Sequence, residues 1–396
     1  MNATPKFRDD RRRARLVHRH CLATPARGPE EVADSLVALH ATDPASVHLS
    51  VLARSRATTQ DVERALYDAR TLVRMLGMRR TMFVVPRELV PVVQAACTDD
   101  IAIRQRKLLL RHLATAGLEA DLDAWLADVE RGTYAALDAN GPSLAAQVAD
   151  AEPRLRTEIV MAEGKPYESR GYITNRVLFL LAAQGRVVRG RPRGSWLSTQ
   201  YAWSTTAAWL PGLDRLDARS ARVELARRWL RAFGPATVAD LTWWSGWTAG
   251  RVRTVLTALD PVEVELDAGP GIVLRGDTEL TEPTEATEPA EPVAALLPAL
   301  DPTPMGWRER DWFLGAHRER LFDRTGNIGP TVWWDGRIVG GWAQRPGGDI
   351  AIRLLEDIGA DATTAVDAAA ERLYGRLGGL TAIPKFRTPV ERDLSS

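Results

Sequence analysis

The sequence predicts an α+β fold in which helix–turn–helix segments are each closed by a short β-hairpin and followed by a small β-rich domain. Two observations carry this reading. The order helix, helix, strand, basic turn, strand occurs over residues 141 to 203, and a similar order returns over 223 to 266. After residue 292 the pattern changes to alternating strands around a tight turn. At 396 residues the chain is too long for one ordinary core, so two or three domains are expected.

Residues 30 to 40 and 44 to 56 place Val32, Leu36, Leu39 and Val47, Leu49, Leu52 at helical spacings, which predicts two amphipathic helices. Asp43-Pro44 between them is a helix start, with Asp as N-cap and Pro at the first helical position. "TLVRMLGMRRTMFVVP", 71 to 86, shifts to alternation and predicts a strand ending at Pro86. "GPSLAAQVAD" is a short helix, and "YITNRVLFLLAAQGRVV" is a longer one ending near Gly185. "GRVVRGRPRGSWLSTQYAW" then reads as two short strands around a basic Gly/Pro turn, which completes the order of a winged helix.

The stretch from 223 to 266 repeats the plan, with a short helix through Trp243-Trp244 and a turn at Gly246. "LATPARGPEEVADSLVALHATD" is a weaker first copy, so tandem winged helices are expected. "PTVWWDGRIVGGWAQ" is a hairpin whose Asp335-Gly336 suits a type I′ turn. "DIAIRLLED" adds a strand, and 361 to 377 a helix. The expected organisation is a first winged-helix region over 1–135, a second over 136–215 and a third over 216–276. A flexible acidic segment at 277–292, lacking the apolar residues to build a core, precedes the C-terminal domain at 293–396.

Composition bounds the function. Hydrophobic residues at 45% and charged residues at 26% describe an ordinary globular chain, expected in the cytoplasm. Cys21 and Cys97 lie far apart without a CxxC spacing, so neither a disulfide framework nor a zinc site is expected. No apolar run reaches the length of a membrane span. A net charge of +1 hides local basic strips: Arg11, Arg12 and Arg13 in the first helix, and Arg186, Arg189, Arg191 and Arg193 in the second wing. Such strips suit a polyanion partner, although any single arginine could be an ordinary solvated one. No P-loop, dinucleotide fingerprint, GxSxG, HExxH or Cys/His cluster occurs, so no cofactor or metal is expected.

What remains is chemistry done with bare polar side chains, and "HATDP" at 40 to 44 is the place for it. Local rules alone make Asp43 a helix cap, Thr42 a support for the turn and His40 a donor to a carbonyl. Alternatively, the three hold a water or a substrate.

The segments "LVALHATDP", "VRMLGMRRTMFVV", "GPATVADLTWWSG", "LLPALDP" and "TGNIGPTVWWDGRIVGGW" resemble the bacterial winged-helix DNA glycosylases that remove bulky alkylpurines. This is the family of the azinomycin-resistance and interstrand-crosslink glycosylases, and the similarity runs through nearly the whole chain. It implies three tandem winged helices forming a concave basic channel for duplex DNA, and a monomer. It implies phosphate contact from Arg79 and Arg80, and it sets the catalytic motif at His40-Ala41-Thr42. The usual residues there are a glutamine, an apolar residue, then glutamine or aspartate; neither polar position is kept.

Chemically, a neutral His40 could take a proton from water, Thr42 could orient that water, and Asp43 could stabilise a cationic sugar. None of the four lysines (Lys6, Lys107, Lys165, Lys385) lies in the turn, which favours water as nucleophile over a Schiff base. The expected activity is monofunctional hydrolysis of the N-glycosidic bond of a bulky or cationic alkylpurine. A DNA-binding regulator or lesion-binding protein without catalysis is the alternative, and a protein-interaction role of the C-terminal domain is a third.

Overall fold

A buried arginine and a buried aspartate, 247 residues apart in sequence, meet at the centre of the larger of two units in the computed structural model. The structure describes residues 4–118, 121–161, 164, 168–277 and 292–396, so the acidic segment expected at 277–292 lies almost wholly outside the described residues. The architecture is α+β. The first unit is discontinuous, comprising residues 1–72, 83–86 and 222–396; residues 73–82 and 87–221 form the second.

In the second unit, helix Leu122–Asn140 begins at Asp121, whose side chain accepts a bond from the Ala124 N–H at 3.2 Å. Strand Ser143–Leu144, helix Ala145–Ala151 and helix Thr174–Ala183 follow. Strands Val187–Pro192 and Tyr201–Thr205 pair antiparallel, with Ser143–Leu144 on the outer side of the latter. Leu126, Val129, Val148, Val177, Leu181 and Trp203 fill the core that these elements share. A hairpin of Glu158–Met161 with Ser169–Tyr172, inserted between the two shorter helices, was not foreseen from sequence.

In the first unit, helix Ala218–Phe233 leads to Ala236, which bridges Ile272. Helix Val238–Ser245 follows, started by a capping box of Thr237 and Asp240 and ended by Gly246 at φ 71°. Helix Ala249–Leu259 and the hairpin Val262–Leu266 with Gly269–Val273 complete the segment, and Lys6–Phe7 adds a parallel strand to the hairpin. Strands Ala294–Leu297, Thr331–Trp334, Arg337–Gln344 and Ile350–Leu354 form an antiparallel sheet in sequence order. Asp335 and Gly336 both have positive φ (46° and 77°), as a type I′ turn needs. A Cβ at Gly336 would stand 2.7 Å from the Arg13 carbonyl oxygen, so only glycine lets this turn approach helix Asp9–Arg19.

Three boundaries differ from expectation. The helix expected over 30–40 is Pro29–Ser35; Val37 turns at φ 64°, and Leu39–His40 becomes a strand paired with Phe83 and Val84. Apolar runs this short fit helix and strand alike, and here the partner strand decides. Residues 71–86 give two strands, Leu72–Leu76 and Met82–Pro86, separated by a turn in which Arg79 and Arg80 have positive φ. The helix expected over 44–56 ends at Leu52.

At the heart of the first unit, Arg54 uses all five of its N–H donors. Nε donates to the His20 carbonyl, Nη1 to the Ser50 carbonyl and Asp301 Oδ2, and Nη2 to Asp301 Oδ1 and Thr303 Oγ1, at 2.6 to 3.1 Å. Asp301 also accepts from Ser50 Oγ (2.9 Å) and the Thr303 N–H (3.0 Å). Thr303 Oγ1 lies 2.9 Å from His20 Nδ1, whose Nε2 is 3.1 Å from the Ala232 carbonyl. Both Arg54 and Asp301 side chains are fully buried.

Asp301→Asn leaves the Arg54 charge buried without its counter-charge, and should lower stability in urea unfolding by about 3–5 kcal/mol. A loss under 1 kcal/mol would mean that the pair is solvated. Burial, then the nearby Arg54 charge, holds the His20 pKa down to about 3. Unfolded His20 therefore binds a proton below its ordinary value of about 6.5 that the native state refuses, and stability falls as pH drops through that value. Between pH 7 and 5.5 the wild type should lose about 1 kcal/mol more than His20→Gln; equal losses would contradict a neutral buried imidazole.

Candidate active-site turn and basic surface

His40 ends the strand Leu39–His40 opposite Phe83, and their rings meet edge to face at 5.5 Å. The imidazole is buried, at 7% exposure, Thr42 is half-buried, and Ala41 between them is buried. Asp43 is extended (φ −103°, ψ 121°), and its Oδ1 caps helix Pro44–Leu52 by accepting the Ala45 N–H at 3.1 Å. Oδ2 accepts the Lys385 N–H at 2.8 Å, tying the turn to a segment 342 residues away in sequence. The cap foreseen from Asp43-Pro44 is therefore present, and both carboxylate oxygens serve backbone N–H groups. Beside Asp43 lies a void of about 10 Å³, bounded by Ser46, Leu49, Pro298, Trp342 and Gln344, which is room for about one water.

Every residue of helix Pro44–Leu52 is buried. Ser46 Oγ donates to the Ala299 carbonyl at 2.7 Å and Ser50 Oγ to Asp301, so one face of the helix is fastened to the segment 299–301. At its far end Arg376 donates to the carbonyls of Leu52, Ser55 and Ala57. A turn held at both ends of its helix presents His40 and Thr42 in one geometry. An imidazole and a hydroxyl two residues apart can accept a proton and orient a water; a carboxylate already bonded twice serves as scaffold.

The arginines expected on DNA divide by burial. Arg191 and Arg193 are exposed on the basic hairpin, and Arg80 is exposed with its guanidinium 5.5 Å from the Phe179 ring centre. Arg11, Arg13, Arg79 and Arg186 are half-buried. Arg13 Nε donates to the Asp9 carbonyl, and Arg186 lies 5.0 Å from the Tyr134 ring centre and 3.7 Å from Glu130. Arg12 does not fit a phosphate contact. It is 4% exposed, its guanidinium is 4.0 Å from the Trp312 ring centre, and burial lowers its pKa despite Asp9. Arg189 is half-buried, with its guanidinium 5.6 Å from the Tyr201 ring centre and 5.1 Å from that of Trp203.

Sequence reasoning missed Arg54, Asp301, His20 and Arg74. "LLPALDP" flagged the Asp301 segment as a motif without a role; Arg54 and Arg74 sit in runs with no local signal. Among the described residues no group of three or more His, Cys, Asp or Glu could hold a metal ion, and no helix is long and apolar enough to cross a membrane.

The family model described as "DNA glycosylase AlkZ-like" matches residues 33–375, a span that contains the turn at 40–43. Among solved structures the Streptomyces sahachiroi DNA glycosylase AlkZ is similar, with a TM-score of 0.72 and 19% identity over 96% of this chain and 99% of that one. At that identity the likeness shows the fold. No curated protein sequence matches the chain.

Asp43→Ala removes the helix cap and the tie to Lys385, and should cost about 2 kcal/mol in urea unfolding. Asp43→Asn, which keeps one acceptor oxygen, should lose about half of that. An unchanged midpoint in Asp43→Ala would show that the carboxylate is not the scaffold of the turn.

Proposed function

The chain belongs to the AlkZ-like DNA glycosylase family, and on that footing we propose that it binds duplex DNA and hydrolyses the N-glycosidic bond of a bulky or cationic alkylpurine. The observation that carries the reading is the turn itself: His40 and Thr42, aligned with the family's motif by resemblance, lie inside the matched span just before helix Pro44–Leu52, which is anchored at both ends. In the reaction, His40 takes a proton from water as its oxygen bonds to C1′. The bond from C1′ to the purine nitrogen breaks, and its electron pair neutralises the positive charge of the alkylated base. Such a leaving group needs little protonation, so the absence of a second acid in the turn is no obstacle. Thr42 orients the water, while Asp43 fixes the turn.

Residues 122–205 and 218–273 are read as two of the tandem winged helices. The outer strand Ser143–Leu144 in one, and the Ala236–Ile272 bridge in the other, support this by supplying the third strand of each wing sheet. Arg191 and Arg193 on the second wing, and Arg80, are the arginines assigned to phosphate contact; such contacts position the protein without choosing sequence.

A second reading, duplex binding without hydrolysis, is favoured by one observation: the Asp43 oxygens are both bonded and His40 is buried. One experiment separates the two. Release of N7-methylguanine from methylated duplex DNA should fall about 100-fold or more in His40→Ala, with duplex binding unchanged. No release by the wild type, together with salt-dependent binding, would establish the second reading. Replacing Arg191 and Arg193 by Ala should weaken binding to all duplexes alike and reduce the salt slope by about 1 for each residue. A slope equal to the wild type's would remove the wing from the interface.

A further inference from the structure

The second unit carries positive charge that neither the basic wing nor the 40–43 turn uses. Helix Asp99–Thr115 has its two acids in the first turn, and residues 101 to 118 contain no Asp or Glu. Its basic residues divide by face. Arg106 is neutralised, bonded to Glu130 and, at 3.3 Å, to Asp123 Oδ1. Lys107 and Arg111 lie one turn apart on an exposed face, and among the described residues no carboxylate is bonded to either. Arg104 is closer to the acidic first turn, with Asp100 four residues before it, and is left out of the count.

The charge continues onto neighbouring elements. Helix Thr174–Ala183 packs on helix Asp99–Thr115 through Leu109, Leu113, Val177 and Leu181. Its Arg176 is half-buried, and Nη2 donates at 2.6 Å to the Met161 sulfur, a weak acceptor without charge. Arg80 reaches the same helix at the Phe179 ring. Burial, then repulsion by Arg80, lowers the Arg176 pKa; burial, then repulsion by Arg176 and Arg111, lowers that of His112. Arg80, Arg176 and Arg111 thus share one electrostatic neighbourhood, and no carboxylate enters either balance.

Cations gathered in this way repel one another, and a polyanion relieves the repulsion while releasing its own counterions. We propose that Lys107, Arg111 and Arg176 continue from Arg80 as a second track of phosphate contacts for duplex DNA, apart from the wing at Arg191 and Arg193. The proposal rests on duplex binding by this chain and is independent of hydrolysis. Contacts of this kind read no bases. Their effect is orientation: two tracks on one unit fix a duplex that a single wing would let swivel.

The test is fluorescence anisotropy of the full chain with a short undamaged duplex, so glycosylase chemistry does not enter. Lys107→Ala and Arg111→Ala should each weaken binding a few-fold and lower the salt slope by about 1. Arg131→Ala removes an exposed arginine already paired with Asp128, and should change neither quantity. On the wild type, saturating duplex should slow acetylation of Lys107 several-fold, read by mass spectrometry. Ile103 is 57% exposed one turn before Lys107, which makes an anionic membrane the competing partner; vesicles containing phosphatidylserine should not bind. A wild-type slope in both variants, or unslowed acetylation of Lys107 in a complex that does form, would overturn the second track and leave duplex binding standing. Failure of the wild type to bind any duplex would overturn it together with the reading beneath it. Vesicle binding that is lost in the same two variants would give the face to a membrane instead.

Discussion

One ion pair organises the first unit. All five donors of Arg54 and both oxygens of Asp301 are engaged, with both side chains fully buried, and the partners come from the first helices, from segment 299–303 and from His20. A buried pair of this kind gives little net stability over apolar residues of the same volume, because dehydration of two charges offsets their attraction. Its effect is selective. Any arrangement that moves segment 299–303 away from helix Pro44–Leu52 leaves a bare charge in the core, so alternative packings are excluded more strongly than the native one is favoured.

The candidate site inherits this constraint. Ser46 and Ser50 are spaced one helical turn apart, Arg54 follows four residues later, and all three face the same segment. The strand that ends in His40 is fixed by Phe83, and the turn after it by Asp43 through Ala45 and Lys385. Precision at such a site comes from the shell that supports it, and here the shell reaches from residue 43 to residue 385. A residue that reads as a catalytic carboxylate in sequence therefore spends its acceptors on architecture. On the proposed reading, the chemistry falls to His40 and Thr42.

How much of this was legible depends on the range of the interaction. The cap at Asp43-Pro44, the type I′ turn at Asp335-Gly336 and the hairpin around the basic turn are set within a few residues, and the sequence shows them. The strand at Leu39–His40 depends on a partner more than forty positions away, so helical spacing misled there. In the first helix, Arg12, Arg15 and Arg19 recur at three- and four-residue spacings on the face that carries buried Leu16. That periodicity was a warning that some of the arginine run faces inward: Arg12 lies by Trp312, while Arg15 and Arg19 pair with Asp277. Nothing local could reveal that Arg189, in a run of basic residues on strand Val187–Pro192, feels the charge of Arg74 from another strand.

The division of the chain also bears on the order in which the molecule is made. The second unit ends at residue 221, so its own contacts are complete while much of the first unit is still unsynthesised. Arg54 leaves the ribosome 247 residues ahead of the carboxylate that neutralises it. Through that interval the N-terminal helices hold a cationic, half-finished core, and the segment that completes it comes from the far end of the message. Truncation before residue 301 therefore removes more than a peripheral domain: it strands the first seventy residues without their centre.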